Sequence, residues 1–187
     1  MIRRRVVVGL ALALVNVPAV AQIPAAPAPS APASSSGPAI ARCRWTALPD
    51  RTRAALIASG PSLEDIGKAI SGMSPTLLDL ARSQCPAPTT PQIEAASKEA
   101  WAGVVITSWA EGELAQRFGV TPAALARAWA RVSPAERHAL AAGFDKTPEA
   151  TRASVASFAA ELRLTDPAAL DLLSAWAIAE LRLSALE

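Results

Sequence analysis

The chain has no tyrosine, one histidine, two cysteines and three phenylalanines among its 187 residues, and each scarcity removes a class of chemistry. With His138 as the sole imidazole, a Ser-His-Asp or Cys-His nucleophile has one candidate base, and that base lies in an Ala-rich helical stretch without an elbow. No His-x-x-x-His or Cys-x-x-Cys spacing exists, so neither a tetrahedral metal site nor thiol–disulfide exchange is expected. Glycine-rich phosphate loops and dinucleotide fingerprints are also missing. The only close acidic pair on the longest apolar segment is Glu111 and Glu113, which point about 200° apart on a helix and cannot flank one bond. The residues therefore define no catalytic, cofactor-binding or metal-ligating set. A non-enzyme without a cofactor is expected, with His138 facing solvent.

Long apolar runs are scarce too, and the one at the N-terminus has the form of an export signal. Arg3, Arg4 and Arg5 precede an apolar stretch from Val6 to Val15, Pro18 breaks it, and Ala19-Val20-Ala21 offers a small-x-small cleavage site before Gln22. A bilayer span needs roughly 20 apolar residues, so this run is too short to serve as an anchor. Residues 1–21 are expected to be a signal peptide cleaved between Ala21 and Gln22, leaving a periplasmic or secreted protein with no integral membrane segment. Cleavage removes three of the 18 Lys+Arg and none of the 16 Asp+Glu, leaving 15 against 16 and a net charge of −1. The +2 of the whole chain is then a feature of export, and it gives no reason to expect nucleic acid or anionic lipid as a partner. Fifteen arginines against three lysines, with abundant alanine, match GC-rich codon usage and so a bacterial source.

Residues 22–41 are punctuated by Pro24, Pro27, Pro29, Pro32 and Pro38 among Ala and Ser. Such a segment has too little apolar surface to fold and reads as a disordered, partly polyproline-II linker. The folded domain is expected over 42–187, long enough for one core.

Within that domain one start signal recurs: Ser74-Pro75, Thr90-Pro91, Thr121-Pro122, Ser133-Pro134, Thr147-Pro148 and Thr165-Asp166-Pro167. The side-chain oxygen caps first-turn amides, and proline lacks the N–H that would be left over there. Gly60, Gly72, Gly119 and Gly143 stand where helices should stop. No segment alternates with period two, so the class is all-α. About seven to eight helices are expected, over 49–59, 62–71, 75–84, 91–118, 122–131, 134–143, 148–163 and 167–185. The fourth is the central one. It carries Trp101, Val105 and Trp109 on one stripe, and Gly112 is a candidate kink. Trp101, Val105, Trp109, Trp129 and Trp176, with Trp45, are expected to form a single interior, because Trp fills volume that Ala cannot.

Cys43, expected just before the first helix, and Cys85, just after the third, form an even pair in an exported chain. A disulfide between them is expected, and it requires the short helices to fold back obliquely.

Residues 113–129, Glu-Leu-Ala-Gln-Arg-Phe-Gly-Val-Thr-Pro-Ala-Ala-Leu-Ala-Arg-Ala-Trp, resemble the helix-turn-helix of LysR-type regulators. The resemblance implies Ala115 at the helix crossing, Gly119 in the turn, Leu125 packing the second helix back, and nucleic-acid binding through residues 122–129. Of those eight residues Arg127 alone is suited to reading a base edge, and export opposes DNA binding. A structural helix-turn-helix is the expectation. Two classes of function remain. One is an exported module binding an unknown protein or envelope component through an apolar or Ala-rich surface. The other is a helical domain that holds a small apolar ligand among its tryptophans.

Overall fold

A hydroxyl before proline determines where several helices begin, as seen in the computed structural model, which describes residues 36–85, 90–143 and 148–186. Thr90 Oγ1 accepts from the Ile93 N–H at 3.3 Å and Thr121 Oγ1 from the Ala124 N–H at 3.2 Å. Ser133 and Glu136 cap reciprocally: the Ser133 N–H donates to Glu136 at 2.7 Å and the Glu136 N–H to Ser133 Oγ at 3.2 Å. Asp166 accepts from the Ala168 and Ala169 amides. Ser74 departs from the pattern, for its hydroxyl makes no capping bond although the helix begins at Pro75. Thr147 lies outside the described residues.

Among the described residues there are ten helices and no strand: α1 (Gly37–Ala47), α2 (Asp50–Ile57), α3 (Leu63–Ser71), α4 (Pro75–Gln84), α5 (Pro91–Phe118), α6 (Pro122–Arg131), α7 (Pro134–Gly143), α8 (Pro148–Ser154), α9 (Ala156–Glu161) and α10 (Pro167–Ser184). None of them is long and apolar enough to cross a membrane. The expected signal peptide, 1–21, and the linker as far as residue 35 lie outside the described residues.

The end of the expected linker requires a correction. Residues 37–41 are the first turns of α1, capped by Ser36, and Ile40 and Ala41 are buried. Composition placed them in a spacer, but Ser36-Gly37-Pro38 is one more hydroxyl-and-proline start, and burial against α5 supplies what composition could not. Cys43 consequently sits inside a helix, not before one. A second correction concerns 148–163, expected as one helix. It breaks at Val155, which is fully buried, just after Ser154 turns its hydroxyl back onto the Ala150 carbonyl at 2.9 Å. Back-bonding of that kind bends helices. The chain then leaves α9 through Arg163, a non-glycine residue at φ 57°.

α5, 28 residues and so about 42 Å long, is the spine. It runs antiparallel to α10, with Gly103 beside Leu183 and Glu111 beside Trp176. α1 lies along its N-terminal half, where Gly37 meets Ala96 and Trp45 meets Trp101. Gly112 leaves no break in α5. The helix ends at Gly119, whose φ of 70° lets the Gly119 and Val120 amides close onto the Ala115 and Leu114 carbonyls.

The interior is two clusters strung on α5 and α10, which corrects the expected single one. The first joins Trp45, Leu48, Leu56, Ile66, Trp101, Val105 and Leu183. The second joins Leu114, Leu125, Leu140, Val155, Phe158, Leu173 and Trp176. A helix of this length carries its apolar stripe past two different sets of short helices, and each set closes its own core.

Candidate functional site

The expected site residues are placed as follows. Cys43 and Cys85 lie at disulfide distance, with S–S 2.08 Å and Cα–Cα 6.0 Å, tying α1 to the end of α4. Val105, Trp101 and Trp176 are buried, whereas Trp109 and Trp129 are only partly so. Trp45 and Trp101 meet edge to face at 6.4 Å, and Trp129 and Trp176 do so at 5.5 Å with Phe158 beside both. The Trp176 indole also donates to Glu111 at 3.1 Å, which gives that carboxylate a structural partner. These rings are packed against one another.

The helix-turn-helix of α5 and α6 is present, with one change in its packing. Leu114 and Leu125 are fully buried in the same cluster, and Ala115, expected at the helix crossing, is exposed. The buried position falls one residue earlier, on the face of α5 that packs on α10. Arg127 is exposed on α6, Arg131 is paired with Glu161 at 2.7 Å, and Arg117 with Glu113 at 3.5 Å.

A concave surface of about 670 Å³ lies elsewhere, between α5 and α10. Its floor is made by Ala100, Ala102 and Gly103 of α5 facing Ala175 and Ala179 of α10. Leu63, at the start of α3, stands at one edge with 52% of its surface exposed. Small residues open this groove. At Gly103 a β-carbon would stand 2.9 Å from Leu183 Cγ, so the absence of a side chain admits Leu183 between the two helices and lets their axes approach. Glu99 and Arg182, both exposed, are the ionisable residues of the lining, and neither is in an ion pair among the described residues.

No tryptophan lines this groove. An Ala-rich surface was expected but not its place, because Ala and Gly have no chemical signature and become a surface only when two helices bring them together. Among the described residues there is no cluster of three or more His, Cys, Asp or Glu with the geometry to hold a metal ion. His138 is exposed on α7. Comparison of the chain with protein-family models, with curated proteins and with solved structures finds no match in any of the three.

Proposed function

We propose that the protein is an exported, non-catalytic module that binds a polypeptide partner through the groove between α5 and α10. The observation that carries this reading is a groove of about 670 Å³ floored by Ala and Gly and bordered by one acid, Glu99, and one base, Arg182, neither of which is in an ion pair among the described residues. A floor of small residues admits a third helix close to the pair, in the way helix-in-groove recognition works. The rim decides between occupants. A fatty acid has one anionic head, which Arg182 would attract and Glu99 repel, whereas an amphipathic helix carries both signs and satisfies both. The partner is therefore an amphipathic helix with an apolar face and charged flanks. Export is supported by the N-terminal charge-apolar-cleavage pattern and by the paired cysteines, which persist in oxidising compartments. The lining of the groove offers no nucleophile with an adjacent base, in keeping with binding and not turnover.

A photoreactive amino acid in place of Ala102, expressed in the producing cells, tests the reading. Adducts containing a second polypeptide should form, and they should vanish when Ala175→Arg fills the opposite wall. Lipid-only adducts, or adducts indifferent to Ala175→Arg, would refute it. The same material reports on export: the mature species should begin at Gln22 by mass spectrometry.

A further inference from the structure

A second hollow, of about 340 Å³, opens on a different face of α5, and its chemistry differs from that of the groove. It takes Glu94, Lys98 and Trp101 from α5, none of which lines the groove. Four ionisable residues line it, Arg44, Arg82, Lys98 and Glu94, against an apolar wall of Ile70 and Trp101. Cations outnumber the acid three to one.

The acid is already neutralised. Arg44 grips Glu94 through both carboxylate oxygens, at 3.2 and 3.1 Å, and also donates to Ser97 at 3.3 Å. The Arg44 guanidinium, with Arg82 and Lys98 adding to the field, holds the Glu94 carboxyl below its ordinary value, so it is ionised at neutral pH and remains Arg44's partner. Arg82 is paired with Asp79, but that carboxylate is largely exposed and is not part of the lining. Lys98 is exposed and in no ion pair among the described residues. One cation is thus left over in a hollow that also presents the apolar surfaces of Ile70 and Trp101.

We propose that this hollow is a binding site for a small free carboxylic acid with an apolar body. Its carboxylate would meet Lys98 and share Arg82, and its body would lie against Ile70 and Trp101. The volume falls near the lower end of the ~300–1,000 Å³ usual for small-molecule sites. A single surplus cation matches a monoanion. The walls are held before any ligand arrives, because Cys43 adjoins Arg44, Cys85 follows Arg82 by one helical turn, and the two are joined. A site fixed in this way loses little freedom on binding. This inference does not depend on the groove reading.

The test titrates the oxidised protein with phenylacetate and with its neutral isostere phenylacetamide, following the Trp101 indole and Lys98 amide signals by NMR. Phenylacetate should give saturable shifts in the millimolar range or below, weakening as salt is added, with the amide and Lys98→Ala each about tenfold weaker or more. Lys98→Arg should restore binding. Ala175→Arg, which fills the groove, should leave it unchanged. Absence of saturable shifts, equal binding of acid and amide, or full binding by Lys98→Ala would each overturn the proposal.

Discussion

Gly37 is pressed onto the backbone of Ala96: a β-carbon on Gly37 would stand 2.7 Å from the Ala96 carbonyl carbon and 2.8 Å from the Ser97 nitrogen. Neither atom can rotate away, so α1 lies against α5 only because residue 37 has no side chain. Gly37→Ala should lift the start of α1 and cost about 2 kcal/mol, within the 1–3 kcal/mol usual for overpacking. Gly112→Ala provides the opposite sign. A β-carbon there meets nothing within 4 Å, and in a helix interior the substitution should stabilise by about 0.5–1 kcal/mol. Urea denaturation of the two variants beside the parent reads both.

The Cys43–Cys85 pair closes a loop of 42 residues around α2, α3 and α4. In the chain-entropy view a loop of that length stabilises by about 4 kcal/mol, and losing a native bridge costs about 2–5 kcal/mol. Cys43→Ser with Cys85→Ser should lower the denaturation midpoint accordingly. Equal midpoints for the parent with and without reductant would contradict it.

Tryptophan substitutions should follow burial and not position on the α5 stripe. Trp176 is 3% exposed, packs against Trp129 and Phe158, and donates to Glu111. Trp176→Ala should cost about 3–5 kcal/mol. Trp109 is only partly buried and should cost clearly less. Thermal unfolding of the two variants ranks them, and the reverse order would be inconsistent with the two-cluster interior.

Glu94 sets a pH dependence whose sign is fixed by its pairing. Its folded value lies below the ordinary 4.5 because Arg44 hydrogen-bonds the charged form. The stability it contributes is therefore complete above the ordinary value and is lost as pH falls through the folded one. Asp171, held low by Arg152, acts in the same acidic window. Melting temperature should fall more steeply below about pH 4.5 in the parent than in Glu94→Gln, which keeps a hydrogen-bond partner for Arg44 but cannot titrate. Glu94→Ala should cost about 3 kcal/mol at neutral pH, at the low end for stranding a buried cation, since the Glu94 side chain is itself 24% exposed.

What the sequence determined by itself is local. Hydroxyl, proline and glycine act within one helical turn, so α3 to α7 and α10 begin and end within a residue or so of where Ser62, Thr90, Gly119, Ser133 and Asp166 place them. The Cys43 and Cys85 pairing was legible for a different reason, since two cysteines allow one bridge. Tertiary structure alone decided the rest. Ser36 and Pro38 carry a local start for α1, but Gly37 and Ile40 are buried because α5 offers Ala96 to pack against, and a window of composition cannot contain a partner 59 positions away. The tryptophans fall into two clusters because α5 is longer than any one set of short helices can cover. Both candidate sites follow the same logic. The groove is lined mainly by α5 and α10, and the charged hollow draws on α1, α3, α4 and α5, so each exists only where distant helices meet.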